Sequence, residues 1–118
     1  MKWEFKNGVP IYLQIVTTLK MKIAGGDLPP GSQVQPVREL AMEAGVNPNT
    51  MQRALTQLEQ EGLLYTQRTS GRFVTEDEKI LRDMRASLSR EYIAEMFEVL
   101  GALGMSRDEI ISEVENYQ

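Results

Sequence analysis

The sequence has no cysteine and no histidine. Without cysteine there is no disulfide, no thiolate nucleophile and no thiolate-held zinc, and the chain suits a reducing compartment. Without histidine there is no Ser-His-Asp triad and no imidazole general base. Long apolar runs are also missing. No stretch approaches the roughly 18 consecutive apolar residues of a membrane helix, and no apolar core of signal-peptide length follows Met1-Lys2-Trp3-Glu4-Phe5-Lys6. The expectation is a soluble, cytoplasmic protein. At 118 residues the chain can enclose one core but not an ordinary ligand-binding domain beside a second domain. No residue set calls for a metal or a cofactor, and neither is expected.

What is present is ordinary for a globular chain: 42% hydrophobic and 25% charged residues argue against wholesale disorder. The net charge of −4 is unevenly spread. Residues 1–75 carry eight basic and six acidic side chains, net +2, and residues 76–118 carry five and eleven, net −6. The total argues against a nucleic-acid partner, whereas the division leaves room for one in the first part.

Pro10 opens a helical pattern in which Ile11, Ile15, Leu19 and Ile23 recur every four residues, with Tyr12 and Val16 alongside. Gly25-Gly26 ends it, and Asp27-Leu28-Pro29-Pro30-Gly31-Ser32 reads as a turn-rich loop. Pro36 can begin a short second helix with Leu40 and Ala41 inward, closed by Gly45. Asn47-Pro48 reads as a helix cap followed by proline at the first helical position, and this third helix runs to about Glu61, before Gly62. Two short extended pieces, 63–67 and 72–74, flank the turn Arg68-Thr69-Ser70-Gly71 and predict a hairpin. Beyond Thr75 the pattern is helical. Leu81, Met84, Leu88, Tyr92, Met96, Val99 and Leu103 form a narrow apolar seam along one long helix, which Ser87 and Ser89 could kink or break. Ser106 and Glu109 have the spacing of a capping box and start a last helix carrying Ile110, Ile111 and Val114.

A short helix, a glycine-containing turn and a second helix make a helix-turn-helix, and a following hairpin makes it winged. On the third helix Met51, Ala54, Leu55 and Leu58 share one face. Asn49, Arg53, Thr56 and Gln60 lie opposite, with Gln52 beside them. That outward stripe offers amides, a hydroxyl and a guanidinium, the donor and acceptor patterns that base edges present, and no carboxylate until Glu59 and Glu61. A plain solvated helix face would look similar. Its place as the second helix of a helix-turn-helix, ahead of a hairpin bearing Arg68 and Arg72, favours a DNA-reading surface.

The ordered set of motifs resembles the winged helix-turn-helix domain of the GntR family. The pieces are Pro10-Ile11-Tyr12-Leu13-Gln14-Ile15, Leu28-Pro29-Pro30-Gly31, Val37-Arg38-Glu39-Leu40-Ala41, Gly45-Val46-Asn47-Pro48-Asn49-Thr50, Leu58-Glu59-Gln60-Glu61-Gly62-Leu63 and Gly71-Arg72-Phe73-Val74. They span about residues 9–75, and the Asn-Pro-Asn-Thr segment with a short acidic helical tail is similar to the YtrA subfamily in particular. The resemblance implies a mostly α fold with a small β-hairpin. A winged helix-turn-helix DNA-binding domain over residues 1–75 would be followed by an all-helical dimerisation tail over 76–118. It implies a transcriptional regulator, most often a repressor, that binds double-stranded DNA at an inverted-repeat operator as a homodimer. The family's contact positions fall on Arg38, on Asn47, Asn49, Thr50, Gln52 and Arg53, and on Arg68, Ser70 and Gly71 of the wing. Two departures stand out. Val34-Gln35-Pro36 replaces the family's usual Leu-Pro-Ser, which removes a capping serine, and Thr69 stands where the wing usually has glycine, so the wing tip is expected to sit differently in the minor groove.

About 43 residues of tail cannot enclose a core of their own, so much of its apolar surface is expected to meet a second copy. The candidates are Leu81, Met84, Leu88, Ile93, Met96, Phe97 and Leu100. The tail is too short for the effector domain of larger relatives. Either no small-molecule effector binds, or an unknown one binds in a cleft between subunits. A winged-helix protein-interaction module, suited by a pI near 4.9, is the alternative function. An enzyme is not expected, since Asp108 and Glu109 sit at a helix start, where the helix dipole favours negative charge.

Overall fold

The computed structural model describes residues 3–118; Met1 and Lys2 lie outside them. Five helices and one antiparallel hairpin follow in the order α1 (Ile11–Gly25), α2 (Val37–Ala44), α3 (Pro48–Gln60), β1 (Leu64–Gln67), β2 (Gly71–Val74), α4 (Glu78–Ala102) and α5 (Arg107–Asn116). The chain divides into two compact units, Met1–Met84 and Arg85–Gln118.

In the first unit the four-residue spacing of α1 buries Ile15, Val16, Leu19 and Ile23. Pro10 stands just outside this helix, and its carbonyl accepts from the amides of Leu13 and Gln14. Pro36 likewise precedes α2 rather than opening it, and no side chain caps that end. A proline ahead of the first turn fixes the entry of the chain and costs no helical hydrogen bond. Gly45 turns the chain between α2 and α3 at φ +72°, a conformation that a side chain would strain, and the amide of Val46 returns to the carbonyl of Ala41 at 3.0 Å. Asn47 then caps α3 as its sequence suggested, its side-chain oxygen accepting from the Asn49 amide at 2.7 Å, with Pro48 in the first turn.

The hairpin pairs Leu64 with Val74, Tyr65 with Phe73, Thr66 with Arg72 and Gln67 with Gly71. β2 also has a neighbour on its other side. The amide of Gly31 donates to the Val74 carbonyl, that of Val74 to the Ser32 carbonyl, and that of Val34 to the Arg72 carbonyl, each at 2.9 Å. The loop before α2 therefore acts as a third edge to the wing, and Val34 is buried there. Such a short segment beside two prolines carries no period-two signal, which is why the sequence reads only as a loop. Ile15, Leu19, Met51, Leu55, Leu58, Leu63 and Val74 are fully buried and form the core of this unit.

α4 runs unbroken for 25 residues. Asp77 caps it, its carboxylate accepting from the Lys79 and Ile80 amides. The serines do not interrupt it; the Ser89 hydroxyl donates back to the Ala86 carbonyl and is satisfied inside the helix. In the second unit Gly104 turns the chain, and α5 begins with a complete capping box. Ser106 accepts from the Glu109 amide, and the Glu109 carboxylate accepts from the Ser106 amide. Ile110 is buried at 2% exposure. The Arg107 guanidinium lies 5.6 Å from the centre of the Phe97 ring.

Candidate nucleic-acid interface

The two faces of α3 separate as the spacing predicts. Met51, Ala54, Leu55 and Leu58 are buried, while Asn49, Gln52, Arg53, Thr56 and Gln60 are exposed. The expected contact residues differ in how they are held. Asn47 is exposed but its side-chain oxygen is occupied by the cap. Thr50 is half-buried. The Gln52 amide nitrogen donates to the Thr56 hydroxyl one turn on, at 3.2 Å. The Arg53 guanidinium stacks on the Tyr12 ring of α1, 3.7 Å from its centre. Arg38 is exposed on α2, Arg68 and Ser70 are exposed in the hairpin turn, and Gly71, expected in that turn, is exposed as the first residue of β2. Among the described residues, no carboxylate pairs with Arg38, Arg53 or Arg68.

Arg72 is placed otherwise. Its Nε donates to Glu59 of α3, and the Thr66 hydroxyl donates to the other oxygen of the same carboxylate at 3.0 Å. Its side chain is only 19% exposed. One carboxylate thus ties both strands of the wing to α3, and Arg72 serves as a strut of the hairpin. The wing turn is tied at its other edge by Gln33, whose amide nitrogen donates to the Ser70 carbonyl. A Cβ at Gly71, where φ is +108°, would stand 3.1 Å from that nitrogen, so the residue type and the brace are matched.

Behind the stripe, Lys20 of α1 pairs with Glu61 at 2.7 Å, and Gln57 donates to the same carboxylate at 2.9 Å. Partial burial pushes the Glu61 carboxyl up, but these two partners outweigh it and hold the group below its ordinary value.

Tyr12, Gln33 and Glu59 are residues whose roles sequence reasoning missed. Tyr12 was visible only as a flank of the apolar face of α1. Glu59 follows the polar stripe at a spacing that says nothing of the hairpin, and Gln33 has no local signal at all.

Residues 11–74 match the profile of the bacterial regulatory proteins of the gntR family. The chain belongs to the GntR family. Over 114 residues it is 31% identical to the HTH-type transcriptional regulator YhcF of Bacillus subtilis (strain 168), covering 97% of this chain and 94% of YhcF. Over 74 residues it is 38% identical to the HTH-type transcriptional repressor YtrA of the same organism, covering 63% of this chain and 57% of YtrA. Among solved structures, a GntR family transcriptional regulator from Listeria monocytogenes superposes with a TM-score of 0.85 at 32% identity, covering 97% of this chain and all of that one. The DNA-binding domain of AraR in complex with operator ORX1 superposes with a TM-score of 0.58 at 26% identity, covering 64% of this chain and 96% of that one. The GntR chain described here is of the YtrA-like kind, a winged helix-turn-helix DNA-binding transcriptional regulator and not an enzyme. No helix among the described residues is long and apolar enough to cross a membrane.

Proposed function

We propose that this GntR regulator is a cytoplasmic repressor that binds an inverted-repeat operator in double-stranded DNA as a homodimer. The observation that carries the reading is the exposed stripe of Asn49, Gln52, Arg53, Thr56 and Gln60 on α3, free of carboxylates and flanked by Arg38 and Arg68, which pair with no carboxylate among the described residues. In this reading α3 enters the major groove, where Asn49, Thr50, Gln52 and Arg53 meet base edges and Asn47 stays at the rim as a cap. Arg38 meets a phosphate or a base at the groove edge. Arg68, Ser70 and Gly71 reach the neighbouring backbone or minor groove, and Arg72 acts indirectly, by holding the wing to Glu59.

Repression is supported by the name of the YtrA relative. The dimer is supported by the second unit, where Ile93 is 51% exposed and Met96, Phe97 and Leu100 are half-buried. Of the other seam residues expected at the interface, Leu81 is half-buried. Met84 and Leu88 are 7% and 8% exposed in the single chain, which leaves little of their surface for a partner. A small-molecule effector, if one acts, belongs with the paired tails rather than with the DNA-reading unit.

The test is binding to duplexes enriched from a randomised pool by the full chain. A two-fold dimer reads the same sequence on opposite strands in grooves about one turn, roughly 10 bp, apart, so the enriched sites should be inverted repeats. Sedimentation at micromolar concentration should give twice 13.4 kDa. Arg38→Ala should cost about 1–3 kcal/mol if the guanidinium reads a base, or flatten the salt dependence by about one unit if it touches only phosphate. Binding that ignores salt and sequence would instead favour the protein-docking alternative.

A further inference from the structure

The Arg53–Tyr12 stack joins two helices whose starts are separately fixed. On α1, the Gln14 side chain donates to the carbonyls of Lys6 and Val9, at 2.9 Å each, and accepts from the Lys6 amide at 2.8 Å, so the irregular segment entering the helix is clamped to its first turn beside Tyr12. On α3, the Asn47 cap and Pro48 hold the turn that precedes Arg53. The buried contact of α1 with α3 sets the ring and the guanidinium against each other. An arginine at an exposed helix position otherwise samples many rotamers, and ordering them opposes binding.

Stacking uses the face of the guanidinium and leaves its in-plane N–H donors available. Arg72 is the contrast on the same surface, because its Nε donor is taken by Glu59 and its side chain is only 19% exposed. Guanine N7 and O6 present two acceptors side by side in the major groove and suit a planar fork held in one orientation. We propose that Tyr12 is a positioning residue for base reading. Its ring holds the Arg53 guanidinium flat on the outward face of α3, so that its edge meets a guanine in each half-site already aligned. The inference rests on the DNA-reading assignment of α3 and adds to it a residue from α1 that sets specificity through another side chain.

The experiment uses the full chain, the duplex that the wild type enriches from a randomised pool, and a scrambled duplex of the same composition. Tyr12→Phe keeps the ring and should bind within about twofold of wild type. Tyr12→Leu removes the ring and should weaken the enriched duplex about five- to thirty-fold, while the scrambled duplex changes little. Re-selection with Tyr12→Leu should relax the preference at one guanine per half-site. In an Arg53→Ala background Tyr12→Leu should add less than about twofold. A cost that persists in that background, or that falls equally on both duplexes, would overturn the proposal. So would a Tyr12→Phe loss as large as that of Tyr12→Leu, which would mean that the hydroxyl itself meets DNA. Should Tyr12→Leu not fold, proton NMR of the free wild type decides, because ring current must move the Arg53 side-chain methylene signals upfield and unshifted signals overturn the stack. A pool from which the wild type enriches nothing overturns the DNA reading and this inference together. Enrichment with additive Tyr12 and Arg53 costs overturns the inference alone.

Discussion

The unit ending at Met84 and the unit from Arg85 to Gln118 are both built on amphipathic helices, but they dispose of apolar surface in opposite ways. In the first, α1, α2 and α3 supply a shared interior, and the hairpin closes it with Leu64 and Val74. In the second, Ile110 is deeply buried and Leu88 nearly so, while Tyr92, Ile93, Val99, Leu103, Val114 and Tyr117 stay 46% to 86% exposed. Met96, Leu100, Met105, Val114 and Tyr117, with Glu113 at the edge, line an open groove of about 620 Å³. The difference follows from layers. Three helices and a hairpin can surround a common centre, whereas the end of one helix and a ten-residue partner have only one face to offer each other. The first unit is complete as a fold, and the second has apolar surface that a partner would cover.

The largest expected effect breaks the complete side of this comparison. Leu55 is fully buried on the inner face of α3. Leu55→Ala should destabilise the chain by about 2–5 kcal/mol, read as a lower denaturant midpoint, since a packed interior closes only partly around the missing atoms. A change below about 1 kcal/mol would mean that α3 does not anchor the core as its burial indicates.

The incomplete side should respond differently. Leu100 is half-buried on α4 within the groove. Leu100→Glu places a carboxylate where a second copy is proposed to sit and should weaken association by about 2 kcal/mol, roughly thirtyfold, while the unfolding of the first unit changes little. Sedimentation across a concentration series reads the first quantity and thermal melting the second. An unchanged dimer mass would move the interface away from this face.

The same asymmetry explains how much could be read from the residues. Wherever a side chain's fate depends on its own helix, spacing is enough: the buried set on α3, the Asn47 cap and the Ser106–Glu109 box stand in the sequence as they do in the structure. The hairpin is legible but its bounds shift, Leu63 falling outside β1 and Gly71 leaving the expected turn to pair with Gln67 in β2. Where the fate depends on a distant segment, spacing is silent. Arg72 looks like a free wing cation until Glu59, thirteen residues away, takes it, and nothing near Gln33 announces that it braces Ser70 from 37 residues off. The seam on α4 is legible as a stripe, but its change from buried at Met84 and Leu88 to open at Tyr92 and Val99 depends on what lies against each turn. A heptad-like pattern cannot encode that.

The smallest expected effect sharpens the comparison through one carboxylate in each unit. Glu109 is held below its ordinary value chiefly by the Ser106 amide and less by its hydroxyl, within a single helix start, so Ser106→Ala, which keeps the amide, should raise its titration only part of the way back to the usual carboxylate range. Glu61 is different because its partner comes from another helix: Lys20 of α1 grips the end of α3, and Gln57 adds a hydrogen bond, against the opposing effect of burial. A carboxyl whose folded value lies below its ordinary 4.5 binds protons more readily in the unfolded chain. Its contribution is therefore present above about pH 4.5 and is lost as the pH falls through the folded value. The pair is partly exposed, so the contribution should be no more than about 1 kcal/mol at pH 7 and smaller in high salt. Lys20→Met keeps the apolar stem and removes the charge. The urea midpoints of wild type and variant should differ at pH 7 and converge at pH 3. A difference that persists undiminished at pH 3 would assign the effect to packing of the Lys20 stem, and the join between α1 and α3 would then rest on the buried contacts alone.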